Sequence, residues 1–175
     1  MLPVPGPKDL ARIRRARAAG IVNPLVAWQE ARRAGVPYPL VCAVLDQETG
    51  GGHNVWGHDP TIFVGGYDRN NDKHWGSVVT MTSYRAYKTQ RGTTRMQGVG
   101  PLQLTWWSTQ DKADSYGGCW VPRFNIRVGV ETLAYNVRRY GMTLGVKAYN
   151  GSGPAADRYA REVAIKLAKW QRVCR

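Results

Sequence analysis

Glu48 is the residue whose surroundings in the sequence most suggest chemistry. It follows Val41, Val44 and Leu45 at helical spacings of three and four, so a carboxyl continues an apolar stripe. Removing an ionised carboxylate from water is costly, and the position therefore calls for a cationic partner or for a pKa raised until the group is protonated near neutral pH. A structural ion pair with one of the many arginines satisfies the first condition. The second makes a general acid, the group that glycoside cleavage needs to protonate a leaving sugar oxygen.

Other constellations carry less. Asp68-Arg69-Asn70-Asn71-Asp72 begins like a calcium loop, but Lys73 stands where Gly is needed and Val79 where a bidentate Glu is needed. His53, His58 and His74 have no helical zinc spacing and no Cys pair to complete a site. Gly98-Val99-Gly100 lacks the glycine and the partner acid of a dinucleotide-binding turn. The sequence thus implies no metal and no cofactor. Trp75, Trp106, Trp107 and Trp120 offer rings for sugar stacking or for packing.

These residues must be held by elements that the sequence marks in outline. Asp9 to Ala19 reads as a short basic helix stopped by Gly20, and Asn23-Pro24 opens a second helix running to about Ala34. A third follows Pro37 and Pro39, carries Glu48 and ends at Gly50-Gly51-Gly52. Residues 53–97 are rich in Gly, Asn, Asp and Thr and read as an irregular insertion or small β-hairpin. Helical signals return over Leu102 to Asp111, then over Ile126, Val130, Leu133 and Val137 with Asn125 placed to cap, and finally from Pro154 through Tyr159, Val163, Leu167 and Trp170. The expectation is a mainly α single domain over 1–175, with 1–22 as a basic arm or helix and 53–97 as the insertion.

Twenty-five Lys and Arg against twelve Asp and Glu give a net charge of +13, which favours polyanions without choosing among nucleic acid, membrane surface and bacterial wall. A nucleic-acid-binding module is the rival from another class, with Arg12 to Arg17 as its best support, although such a run on a short helix is usually a solvated face. A wall-binding domain without catalysis is a third reading, disfavoured by Glu48. The N-terminus lacks a signal-peptide core, and no apolar run is long enough to span a bilayer. Cys42 reads as a core thiol; Cys119 and Cys174 are either free or paired with each other.

Four segments, in order, narrow these choices: Leu45-Asp46-Gln47-Glu48-Thr49-Gly50, Gly98-Val99-Gly100-Pro101-Leu102-Gln103-Leu104-Thr105, Ala148-Tyr149-Asn150-Gly151-Ser152-Gly153, and Tyr159. Together they resemble the Glu-Ser, Gly-Leu-Met-Gln, Ala-Tyr-Asn-Ala-Gly and tyrosine signatures of the soluble lytic transglycosylase and goose-type lysozyme family. Pro122 to Gly129 resembles the segment before that family's penultimate helix. The likeness spans roughly Pro39 to Trp170, apart from the excursion between Glu48 and Gly98. It implies a lysozyme-like helical fold, with Glu48 cleaving the bond between N-acetylmuramic acid and N-acetylglucosamine. Thr49 replaces the usual Ser, Gln103 matches an amide lining the glycan cleft, Tyr149 and Asn150 match its second wall, and Tyr159 matches a tyrosine whose hydroxyl approaches the catalytic carboxyl. Pro101 and Leu102 stand where the family has Leu and Met.

Two outcomes remain open for the sugar. The muramic 6-hydroxyl attacks in transglycosylases and leaves a 1,6-anhydro end, whereas inverting hydrolysis needs a second carboxylate about 6.5 to 9.5 Å away to activate water. Goose-type lysozymes place an Asp where this chain has Thr105, which tilts the expectation toward transglycosylation. Asp59, Asp68 and Asp72 are the insertion's candidates for a base, although Asp in such a loop usually serves turns. The implied partner is peptidoglycan, acted on by a monomer without nucleic acid or stable membrane association. Without an export signal, such an enzyme fits a bacteriophage endolysin, made in the host cytoplasm and acting on the wall or in the periplasm, or a catalytic domain of a longer lysin.

Overall fold

The structure is a computed structural model and describes residues 2–57 and 75–175. Among these the chain is mainly helical: α1 (Pro7–Ala18), α2 (Pro24–Ala34), α3 (Tyr38–Thr49), α4 (Met81–Arg91), α5 (Trp107–Tyr116), α6 (Pro122–Tyr140), α7 (Met142–Asn150) and α8 (Gly153–Val173). No described helix is long and apolar enough to cross a membrane. The chain divides into two compact units, one formed by 1–52 and 130–175, the other by 53–129.

In the first unit α1, α2 and α3 each begin with proline in the first turn, where a missing N–H costs nothing. The expected apolar residues of α3, Val41, Val44 and Leu45, are buried, as is Leu40, and α3 packs most extensively against α8. From α8 the buried residues are Ala156, Tyr159, Ala160, Val163 and Trp170, which include three of the four in its expected stripe. A small, mostly apolar cavity of about 40 Å³ is lined by Leu40, Met142, Val146, Ala160, Val163 and Leu167, with Thr143 as the polar residue in its lining. Helix α7 reaches α6 closely because Gly145 has no side chain; a Cβ there would lie 2.5 Å from Val137 Cα.

All three cysteines are buried free thiols. Cys174 therefore does not pair covalently with Cys119; its thiol shares a hydrogen bond with Cys42 instead. Burial pushes the Cys42 thiol well up, as a core position requires.

The second unit is built on Trp56, Tyr84, Tyr87, Val99, Leu104, Ala113, Cys119 and Val128. Trp56 and Tyr87 meet edge to face at 4.9 Å. Three isolated antiparallel bridges, Val55 with Val78, Trp56 with Val99 and Val99 with Leu104, make its extended part.

Three local expectations need correction. The span expected to be irregular contains α4, because Tyr84, Tyr87 and Arg91 recur at helical spacing on a buried face and Thr80 and Ser83 form a reciprocal capping box. The helix expected from Leu102 starts only at Trp107, because Gln103 adopts φ 45° and Val99 and Leu104 exchange backbone hydrogen bonds across the turn. Asn125 does not cap. It lies within α6, fully buried, and bonds to another loop. The segment 58–74, with Asp59, Asp68, Asp72, His58 and His74, lies outside the described residues.

Helix α3 ends as its glycines imply. Gly50, at φ 64°, donates to Asp46 O, and Gly51 donates to Leu45 O. Gly51, at φ 130°, passes so close to the 20–22 turn that a Cβ would sit 2.3 Å from Gly20 O, and its own carbonyl accepts from Val22 N. Gly51→Ala is therefore expected to lose at least about 2 kcal/mol, lowering Tm by about 4–8 °C. Gly50→Ala, with open space around its Cβ, costs about 1 kcal/mol. Equal melting temperatures for the two variants would refute the close-approach argument.

Candidate active site

The last turn of α3 carries Asp46, Gln47 and Glu48, and each is bonded to α8. Asp46 Oδ2 accepts from Lys169 Nζ and Trp170 Nε1, both at 2.9 Å, while Lys166 Nζ reaches the Asp46 backbone carbonyl at 3.0 Å. Gln47 donates to Glu162 Oε2 at 2.7 Å. Glu48 Oε1 accepts a short hydrogen bond from the Tyr159 hydroxyl. Three consecutive side chains of one helix thus meet residues spread over three turns of another.

The two neighbouring acids are chemically different. Burial alone would raise the Asp46 pKa, but hydrogen bonds from Lys169 and Trp170 and the charges of Lys166 and Lys169 outweigh it and hold the carboxyl below its ordinary value. Asp46 is thus a structural anion. Of the other acids in this unit, Asp9, Glu30, Glu131 and Asp157 each meet an Arg or Lys. Glu48 is the acid that accepts from a phenol.

Burial, reinforced by the charge of Glu48, pushes the Tyr159 hydroxyl well above its usual pKa. The same two causes act on Tyr149, near the end of α7. Both phenols therefore keep their protons across the working range, and Tyr159 remains a donor. Thr49 is half-buried beside Glu48 at the helix terminus, and Asn150 is exposed at the end of α7. Glu48, Tyr149 and Tyr159 are brought together from three separate segments; Thr49 and Asn150 stand next to them in sequence.

Gln103 belongs to the other unit. Its amide nitrogen donates to Val55 O at 3.0 Å and Gly100 O at 2.8 Å, and a Cβ on Gly57 would lie 1.9 Å from its Oε1. The side chain is half-buried and holds its own loop, so it is not an exposed amide at a helix start. Asn125 anchors the same loop: Oδ1 accepts from Leu102 N at 3.0 Å and Nδ2 donates to Val99 O at 2.7 Å. Gln110 adds bonds to Gln97 O and Leu104 O at 2.9 and 2.8 Å. Sequence reasoning missed Gln110 and the role of Asn125; amides placed at isolated sites in helical segments were their only signal. The indoles of Trp75 and Trp106 are well exposed, whereas Trp120 packs against Tyr84.

The described residues contain no cluster of His, Cys, Asp and Glu able to hold a metal. No protein-family model, curated protein or solved structure matches the chain.

The lowered pKa of Asp46 fixes the sign of an acid effect. A folded-state pKa below the unfolded value, near 3.8, contributes stability that is complete above that value and is lost as pH falls through the folded-state pKa. Asp46→Asn is expected to lose about 1–3 kcal/mol at pH 7 and to show a flatter decline of stability below pH 4 than the wild type. Parallel denaturation curves of the two proteins across that acid window would contradict the clamp.

Proposed function

We propose that this protein cleaves the glycan of bacterial peptidoglycan between N-acetylmuramic acid and N-acetylglucosamine, with Glu48 as acid and then base. The observation carrying the reading is the Tyr159 hydroxyl on Glu48, with Tyr149 close by. The motif resemblance assigns these same three positions to a catalytic carboxyl, its phenolic neighbour and a cleft wall. A phenol that keeps its proton fixes the orientation of the carboxyl from which a proton is to be transferred.

The chemistry balances on this one carboxyl. Protonated Glu48 gives its proton to the glycosidic oxygen as the bond from the anomeric carbon breaks, and N-acetylglucosamine leaves with a free 4-hydroxyl. The muramic 6-hydroxyl then attacks the anomeric carbon and returns its proton to the Glu48 carboxylate, closing a 1,6-anhydro ring. Transglycosylation needs no second carboxylate, and Thr105 stands where goose-type lysozymes have an Asp. If hydrolysis occurs instead, water is the nucleophile, and Asp59 or Asp72 is the candidate base.

Purified peptidoglycan separates the outcomes. The wild type is expected to reduce its turbidity, and Glu48→Gln to be slower by at least about a hundredfold. Equal rates would remove Glu48 from the chemistry. Borohydride treatment followed by mass analysis should find 1,6-anhydro ends, which resist reduction; mainly reducible muramic ends would establish hydrolysis.

Tyr159→Phe is expected to lower the rate about tenfold, the value of one hydrogen bond. The lost donor stabilised the ionised carboxyl, so the alkaline limb of the pH–rate profile should move to higher pH. A shift to lower pH would oppose the assigned role.

A further inference from the structure

We propose that α1 and the C-terminal half of α8 form a cationic face that holds the protein on peptidoglycan through the carboxylates of the peptide stems, separately from the cleavage site. The substrate named here rests on the reading of Glu48 as a peptidoglycan-cleaving acid.

The face is defined by contacts within one unit. Helix α1 exposes Lys8, Arg12, Arg14, Arg15 and Arg17 against a single acid, Asp9. Arg15 ties it to the end of α8: its Nε donates to Val173 O at 2.9 Å and its Nη2 to Arg175 O. Exposed Arg172 and Arg175, at the end of α8 that Arg15 reaches, therefore stand beside the arginines of α1, and Arg12 and Arg15 both act electrostatically on Cys174.

The acids nearby are occupied. Asp9 meets Arg12 at 3.7 Å, Asp46 is held by Lys166 and Lys169, Glu162 accepts from Gln47, and Asp157 pairs with Lys147. Beyond Glu162, α8 has no acidic residue. The guanidinium groups of Arg14, Arg17 and Arg172 meet no acidic side chain among the described residues. This surplus costs folding energy by self-repulsion and is relieved by a bound polyanion.

What the face lacks selects the polyanion. Neither α1 nor the C-terminal half of α8 exposes an aromatic ring, and Trp170 is buried, so unstacked bases would find no platform. Leu10 and Ile165 are isolated exposed apolar residues and form no stripe of the kind that seats a helix in a lipid interface. A hydrophilic polymer of spaced oxyanions fits, and arginine's planar fork matches a carboxylate by two parallel hydrogen bonds.

Binding should be measured without cleavage, by cosedimentation of Glu48→Gln protein with purified peptidoglycan stripped of phosphate polymers, native or with its carboxyls amidated. Adding Arg14→Gln, Arg17→Gln and Arg172→Gln to that protein should weaken binding to native peptidoglycan about tenfold at low salt, the sum of three exposed ion pairs. Amidation of the wall should weaken the parent by a similar factor and leave the triple variant almost unaffected. Replacement of the three arginines by lysine, which keeps the charge without the two-point fork, should recover only part of the binding. Cleavage of short soluble glycans by the triple variant with Glu48 intact should be unchanged.

Undiminished cosedimentation of the triple variant would overturn the proposal, as would indifference to amidation. So would binding that duplex DNA or anionic vesicles abolish at lower charge concentration than peptidoglycan carboxylates, which would assign the face to nucleic acid or membrane. Because the measurement uses a protein that does not cleave, its failure is distinct from failure of the catalytic reading, which shows only in the activity of Glu48→Gln.

Discussion

Registration of α3 against α8 is the constraint on which the candidate site depends. Apolar burial supplies most of the energy: each of Val41, Val44, Leu45, Val163 and Trp170 is buried, at about 1.5–3 kcal/mol for the larger aliphatic side chains. Such burial is tolerant of sliding. The polar series of Asp46 with Lys169 and Trp170, Gln47 with Glu162, and Glu48 with Tyr159 is not. A slip of one helical turn, about 5.4 Å, would break all three sets together and leave half-buried charges without partners. The clamp on Asp46 therefore sets where Glu48 sits, even though Asp46 takes no part in the proposed chemistry.

The end of α3 is fixed from its other side by backbone. Gly50 and Gly51 return N–H groups to the last carbonyls of the helix, and Gly51 then exchanges contact with the 20–22 turn at a distance that excludes any side chain. Glu48 is thus at a helix terminus that is closed by hydrogen bonds and abutted by another segment. Preorganisation of this kind is what a proton-transferring group needs, since a misplacement of about 1 Å can cost a hundredfold in rate.

Much of this was legible in the sequence where the relevant signal is local. Prolines at helix starts, the glycine triplet and the stripe Val41, Val44, Leu45 place α1, α2 and α3 within a residue or two, and the stripe through Trp170 places α8. The failures share a physical cause. Helix α4 hides because Tyr84, Tyr87 and Arg91 are read as polar or mixed, yet tyrosine buries a large apolar ring, and Arg91 is buried against Asp111. The turn at Gln103 and the interior role of Asn125 are illegible because amides from residues far along the chain satisfy the backbone there. Helix α7 gave only its last residues, as part of a motif. The partners of Asp46 lie 120 or more residues away, beyond any spacing rule.

The two units reach precision by different chemistry, and the difference bears on function. The loop at 98–105 is held by neutral amides, whose strength changes little with salt or pH. The α3 terminus mixes an ion-pair clamp with the phenol on Glu48, and part of the surplus positive charge is exposed on α1 and α8. Ions in solution screen exposed charges over about 10 Å at 0.1 M salt but reach buried hydrogen bonds far less. The proposed attraction to a polyanion and the proposed proton transfer at Glu48 are consequently governed by different variables. Salt acts on the first and pH on the second, so a protein of this construction can be strongly attracted to an anionic polymer without its net charge setting the chemistry of the carboxyl.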